Sequence, residues 1–508
     1  MRNVGRLWGR AGLLAGAALV GTAVPAHAET LRDALAKAYA SNPTLTGQRA
    51  AQRAIDENVP IARASGLPGV NATGSVTDNF LQANNNFLNP ERVGQGAINL
   101  SVPLFQGGAV KNAVRAAETR VDAGRATLRG TEANTFTNVV AAYMNVIRDE
   151  AITSLNQQNV RVLEVNLRAS RDRFQVGDLT RTDVAQSEAR LALARAQLQQ
   201  AQAQLISSRE NYIQIVGTPP VGLEEPPALP NLPNSPATAV SVALDNNPNL
   251  IAARRQADAT RYDINVARAN RLPRISAVAG PTYFNYLGSL PNASVAPNSG
   301  TAASAGLQLN LPLFQGGRPA AQVRQAEAQR GQALETVTAT ERAVIAQARS
   351  AYAVWQSSQQ VIASSETAVN ANKLSLEGVR AENSVGTRTI LDILNAEQEL
   401  LNSQVTLVTA RRDAYVAGFA LLAAMGNAEA RDLGLDGGAL YDPTINYKRV
   451  RNRINDFGGD GEPVPVAVST AQTPAQTAIV SKPLDPMLDT PVDRSPALTT
   501  GASSPNRQ

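Results

Sequence analysis

Apolar residues along this chain recur with two different periods, and the change from one to the other marks its elements. Between Thr180 and Val216 they alternate three and four residues apart, at Val184, Ser187, Leu191, Ala194, Leu198, Ala201, Leu205, Ser208, Tyr212 and Ile215. A second run repeats the seam at Ile393, Ala396, Leu400, Ser403, Leu407, Ala410, Ala414, Ala417, Leu421 and Ala424. A spacing of 3.5 residues held for about five heptads demands helix-on-helix supercoiling, and small residues on alternate layers permit close approach. Ahead of the first seam, Gly108 to Val176 reads as one uninterrupted helix of roughly 68 residues, about 100 Å at the α-helical rise. Gly177 breaks it. The return helix spans only about 55 Å, which leaves about 45 Å of its partner uncovered. The earlier helical stretches Thr44–Gly66 and Asn249–Arg271, roughly 35 Å each, nearly complete the height if stacked end to end with the return helices.

Between Leu67 and Phe105 the period falls to two. Ile98, Leu100, Val102 and Leu104 alternate with Asn99, Ser101 and Pro103, and in the second half Leu307, Leu309, Leu311 and Leu313 alternate with Gln308, Asn310 and Pro312. One apolar face opposite an uncharged polar face, about ten residues long, is the pattern of a transmembrane barrel strand. Partner strands start near Val70 and Ile275, Tyr283, Phe284 and Tyr286 are placed for an interfacial girdle, and Asn84–Asn86 and Pro291–Ala293 read as turns. Four strands do not close a barrel, and open edges are excluded from lipid because their backbone groups go unsatisfied. The chain is therefore expected to oligomerise; geometry alone allows a dimer of eight strands or a trimer of twelve.

The two halves are copies. Pro103-Leu104-Phe105-Gln106-Gly107-Gly108 recurs as Pro312-Leu313-Phe314-Gln315-Gly316-Gly317, an offset of 312 − 103 = 209 that also carries Tyr143 onto Tyr352, Gly177 onto Gly386, Asp183 onto Asp392 and Gly217 onto Gly426. Upstream, Asn42-Pro43 matches Asn247-Pro248 and Leu67-Pro68 matches Leu272-Pro273, both at 205, so the length difference falls between Pro68 and Pro103, where loops are free to vary. The expected division is a signal peptide over 1–28, a first repeat over 29–217, a proline-rich linker over 218–236, a second repeat over 237–427, an equatorial segment over 428–455 and a disordered tail over 456–508. The tail is assigned from its Pro, Ser, Thr and Ala content without periodicity.

Composition narrows the function. Arg2, Arg6 and Arg10, the apolar run Ala11–Val24 and Ala26-His27-Ala28 have the form of a secretory signal, too short to span a bilayer. Cleavage after Ala28 removes the one histidine, and the chain has no cysteine. The mature chain then lacks imidazole and thiol, which excludes Ser-His-Asp and Cys-His nucleophiles, zinc sites built on Cys or His, and a lipidated cysteine anchor. No cofactor is expected. Losing three arginines lowers the net charge of +5 to +2, and no basic run interleaves with aromatics, so nucleic acid is not an expected partner.

With these features in place the chain resembles TolC-family outer membrane factors over roughly residues 29 to 450. The likeness rests on the paired Pro-Leu-Phe-Gln-Gly-Gly segments and on two tips, Arg173-Phe174-Gln175-Val176-Gly177 and Ser384-Val385-Gly386-Thr387-Arg388-Thr389-Ile390-Leu391-Asp392. The resemblance implies a homotrimer with a twelve-stranded barrel in outer-membrane lipid, continued by a twelve-helix periplasmic tunnel with an equatorial belt. It also implies a periplasmic adaptor and an inner-membrane transporter that open the tunnel's lower end. Carried over residue by residue, Arg388 matches the arginine that bridges to a neighbouring hairpin at Thr182 and Asp183, and Asp392 matches one of two acidic rings at the entrance. The second ring position is Asn395 here, and the family's latch tyrosine is Asn383. Val176, Gly177, Asp178, Val385, Gly386 and Thr387 form the tip surface an adaptor would meet.

Other readings remain beside this one. Thr180–Asp183 and Thr389–Asp392 both spell T-x-x-D at a helix start, a spacing that suits N-terminal capping. A soluble periplasmic adaptor or strut also uses long hairpins, but has one hairpin between soluble β-domains, and extraction without detergent would identify it. A carboxylate-only hydrolase lacks its paired carboxylates beside aromatics.

Overall fold

The computed structural model describes residues 28–81, 90–289, 297–435, 440–490 and 492. The expected signal peptide, except for Ala28, and the two strand-connecting turns lie outside the described residues. The first repeat comprises α1 (Leu31–Ser41), α2 (Pro43–Asp56), α3 (Asn58–Ala64), β1 (Gly69–Asp78), β2 (Arg92–Phe105), α4 (Ala109–Gln175) and α5 (Arg181–Val216). The second comprises α6 (Pro236–Asn246), α7 (Pro248–Ala269), β3 (Arg274–Asn285), β4 (Ser299–Asn310), α8 (Arg318–Ser384) and α9 (Ile390–Ala424), and α10 (Thr444–Val450) follows. α4 and α8 are each 67 residues long, about 100 Å, as the unbroken pattern requires.

The strands form one antiparallel sheet in the order β1-β2-β3-β4, so β2 against β3 joins the two repeats and β1 and β4 are open edges. The register aligns Val70 with Leu100, Leu100 with Ala279 and Ala279 with Ala305, and lower down Val102 with Ala277 and Ala277 with Leu307. The other face aligns Asn71 with Asn99 and Ser276 with Gln308. Large apolar side chains on the first face stand in the open, Val76 at 76% and Leu307 at 75% exposure. β4 stops at Asn310, short of Leu311 and Leu313, because Pro312 has no N–H for the ladder. β2 runs through Pro103 only with a register shift between Pro103 and Phe105.

The long helices follow the heptad reading. Ser187, Leu191, Ala194, Ala201, Leu205, Ser208 and Tyr212 of the first seam are buried, while Val184, Leu198 and Ile215 are half-buried. The main core gathers Phe136, Tyr143, Leu205 and Tyr212 with Leu31, Leu35 and Leu223, drawing α1 and the linker onto α4 and α5. Tyr143 donates to the carbonyls of Glu29 (2.9 Å) and Glu224 (2.6 Å), and its counterpart Tyr352 donates to that of Asn234 (3.2 Å), so the repeated tyrosines tether the chain around the linker.

End-to-end stacking is achieved by one side chain per repeat. Asn42 Oδ1 accepts from the amides of Thr44 and Leu45 to cap α2, while its Nδ2 donates to Ile215 O in the last turn of α5 (2.8 Å). Asn247 does the same for α7 and α9, accepting from Asn249 and Leu250 and donating to Ala424 O (2.9 Å). Each asparagine thus satisfies orphan donors of one helix and an orphan acceptor of the next. Asn42→Ala is expected to cost about 2 kcal/mol, combining a lost cap with a buried carbonyl left unpaired. Denaturant unfolding of the detergent-solubilised chain measures it, with Asn247→Ala giving a matching loss.

Two expectations are corrected. The stretch Thr44–Gly66 is not one helix: it breaks at Glu57, whereas its copy α7 is continuous. The cause is Pro60, which stands where α7 has Asn265 and whose ring clashes with a carbonyl one turn earlier. The segment after 456 also departs from a disordered tail over part of its length. Leu488 is 3% exposed against the long helices, and residues 476–490 make hydrogen bonds to them through their own main chain. Composition misses this because backbone carbonyls accept regardless of the side chains they carry. Of the equatorial segment, Glu429 pairs with Arg129, and Asn446 donates to Asp56 (2.9 Å), laying it against α4 and α2.

Candidate functional site

Both helix tips are built alike. At the first, Gly177 N–H donates to Phe174 O (3.0 Å) and Asp178 N–H to Arg173 O (2.9 Å); at the second, Gly386 donates to Asn383 O and Thr387 to Glu382 O, both 3.0 Å. These paired bonds close the helix end around a left-handed residue, and φ of 83° at Gly177 and 79° at Gly386 is why glycine stands at both. The closure turns Val176 and Val385 outward, at 76% and 73% exposure, so each tip presents an apolar side chain beside Gly177 and Asp178 or Gly386 and Thr387.

The return helices start with complete capping boxes. Thr180 accepts from Asp183 N–H while Asp183 Oδ2 takes the Thr180 amide (2.9 Å) and hydroxyl (2.7 Å), and Thr389 and Asp392 repeat the arrangement at the same distances. Hydrogen bonds from the Thr389 hydroxyl and amide, helped by Arg388, hold the Asp392 carboxyl below its usual range. Asp392 therefore remains charged at neutral pH and reaches solvent.

Arg388 lies on its own hairpin. Its Nε donates to Glu382 Oε2 (2.7 Å), both side chains half-exposed, which raises the guanidinium above its ordinary value. Within the described protomer it bonds neither Thr182 nor Asp183. The links that join the two hairpins near the tips are others. Arg190 of α5 donates to Asn395 Oδ1 of α9 (2.7 Å), and Arg173 of α4 reaches Asn383 Oδ1 at the outer limit of 3.5 Å while also pairing with Asp178. Asn383 is buried, its Nδ2 donating to Arg388 O (2.7 Å). The two positions that depart from the family pattern are thus the acceptors of the inter-hairpin bonds nearest the tips. Sequence reasoning noted Asn383 and Asn395 but missed their partners, since nothing local marks an arginine about two hundred residues away.

The comparisons agree with this architecture. The pattern of the outer membrane efflux protein family matches residues 34–218 and 239–427, one segment in each repeat. The chain is 37% identical over 441 residues to outer membrane efflux protein BepC of Brucella suis, covering 87% of this chain and 94% of that one. It is 27% identical over 481 residues to outer membrane protein TolC of Escherichia coli, covering 90% and 96%. Its fold superposes on the crystal structure of the CmeC outer membrane channel of Campylobacter jejuni with a TM-score of 0.69, at 16% identity and over 84% and 90% of the two chains. Matched in both repeats and along nearly the whole of its relatives, the chain belongs to the outer membrane efflux protein family.

Proposed function

We propose that three copies of this chain close a twelve-stranded barrel and a twelve-helix tunnel, making a passive exit duct that an adaptor and an inner-membrane transporter open from the periplasmic side. The chain is an outer-membrane protein with a long helical periplasmic part. The observation that carries the assembly is the sheet: four strands with both edges unpaired and an apolar face in the open. In hydrocarbon those edges must be paired, and further copies of the same sheet supply the partners. A soluble strut would have no use for such a face. Among the described residues no helix is long and apolar enough to cross a membrane, which leaves the strands to do it.

The exposed tip residues Val176, Gly177, Asp178, Val385, Gly386 and Thr387 are the surface offered to the adaptor. Asp392, repeated around the trimer, forms an acidic ring at the entrance in addition to capping α9, and Arg388 bridges to Thr182 and Asp183 of a neighbouring hairpin when the ring of hairpins is complete. The cargo is a polypeptide of a type I system or a small toxic compound.

Single-channel conductance in a planar bilayer tests the reading. The purified protein is expected to give a small cation-selective conductance, and Asp392→Ala to lose much of that selectivity. Because the Asp392 carboxyl titrates below its ordinary value, selectivity should persist down to about pH 4, where an unperturbed aspartate is already half protonated. Unchanged selectivity in the variant returns Asp392 to capping alone, and absence of any insertion sinks the duct.

A further inference from the structure

The segment after residue 475 crosses all four long helices on the face that carries the interrepeat linker. On α5, Gln476 N–H donates to Glu210 Oε1 (3.0 Å) and Arg209 donates to Ile479 O (3.0 Å). Lys482 reaches Leu223 O of the linker (3.1 Å). Asp485 then takes Arg411 of α9 (2.7 Å), a guanidinium that also pairs with Glu366 of α8 (3.2 Å). Leu488 is buried beside Leu155 of α4, Leu400 and Leu407 of α9 and Val369 of α8, while Gln404 of α9 donates to Leu488 O (2.8 Å). Lys373 of α8 donates to Asp489 O (3.2 Å), and Gln158 of α4 donates to Asp489 Oδ1 (3.1 Å).

We propose that Gln476–Thr490 is a strap that clamps the two hairpins of one protomer together and sets the height about which they spread. Its lowest contacts, Lys373, Gln404 and Gln158, stand eleven residues above the end of α8, fourteen above the start of α9 and seventeen above the end of α4, about 15–25 Å from the tips. Below that level the described hairpins are joined by the Arg190–Asn395 and Arg173–Asn383 bonds. With the strap seated, the tips open by bending only that lowest section. With it released, the pivot moves up toward the core around Phe136 and Tyr143 and the same angle opens a wider entrance. The stretch ahead of the strap suits a device that comes and goes: Phe457, Val464, Val466 and Val468 are exposed, and none belongs to a helix or strand. The strap's role in opening rests on the duct reading; its clamping of the hairpins does not.

The test separates the two. The chain contains no cysteine, so Val176→Cys and Val385→Cys place spin labels on the two tip turns without competing sites. Pulsed EPR in detergent then reads the spread of the hairpins with no bilayer or conductance involved. Truncation after Ser469, and separately the full-length Leu488→Asp with Asp485→Ala, are expected to raise the long-distance population at least several-fold over the labelled parent. Should the truncated chain fail to assemble, the full-length double variant decides. An unchanged distance distribution in an assembled variant overturns the strap. In bilayers, strap release should raise conductance several-fold, and an oxidised Gln404→Cys/Leu488→Cys pair should hold it low until reduced. Tips that spread in protein that never conducts would keep the strap and remove the duct.

Discussion

Gly280→Ala is expected to abolish the detergent-resistant oligomer and leave the chain out of the membrane fraction, although it adds a single methyl group. Gly280 lies in β3 beside Pro281, which has no N–H to give to β2, and the β2–β3 ladder skips from Ala97 opposite Thr282 to Leu100 opposite Ala279. In that gap the backbones approach so closely that a Cβ on Gly280 would overlap the carbonyl of Ile98 and crowd Asn99. The obstacle is main chain on both sides, so no side-chain rotation relieves it. Overpacking of this kind costs about 1–3 kcal/mol in a core that can shift, and more where it cannot. The position matters more than the amount, because β2 against β3 is the junction of the repeats. Pushing it apart leaves two hairpins, and a lone two-stranded hairpin is marginal at best. Gly306→Ala is the control: it lies on the neighbouring strand opposite Val278, a Cβ there meets nothing, and assembly should be unaffected. Equal oligomer yields from the two variants would refute the argument.

The features legible in the sequence are those whose cause is local or periodic. The heptad seams, the tip glycines and the T-x-x-D starts each depend on residues within a few turns, and the structure places a buried stripe, a left-handed turn and a capping box at those positions. End-to-end stacking was readable from helix lengths, but not the means, since Asn-Pro marks a helix start without saying which carbonyl the asparagine also reaches. Pro60 is a local signal for the break after α2, and Asn265 at the matching position leaves α7 continuous, so only one repeat has to break. The strap was hidden for a different reason. An extended, proline-rich segment leaves its carbonyls unpaired, and Arg209, Gln404 and Lys373 fill them without requiring any pattern in the segment itself. The inter-hairpin bonds were hidden because they depend on how two coiled pairs lean together, a property of packing.

That leaning makes Asn395 the most informative position at the entrance. Asn395→Ala is expected to raise the open population, read as conductance, by about 5-fold, the effect of losing roughly 1 kcal/mol at an exposed hydrogen bond to a charged donor. Arg190→Ala should do the same, and the double variant should add little, because either change alone removes the one bond the two share. Asn395→Asp separates two roles that its place in the family pattern leaves mixed. If the position serves chiefly as a cation-binding ring, the added charge raises cation selectivity and leaves opening unaffected. If it serves as the acceptor for Arg190, the carboxylate converts a neutral acceptor into an ion pair, a bond roughly twice as strong, and conductance falls below that of the parent. The geometry favours the second outcome, since the Asn395 oxygen is already engaged at 2.7 Å by the guanidinium an aspartate would attract. High salt offers a further check: screening should raise the conductance of Asn395→Asp toward the parent value while changing the alanine variant little. A rise in selectivity with no fall in conductance would instead assign Asn395 to the ring and leave closure to bonds between protomers.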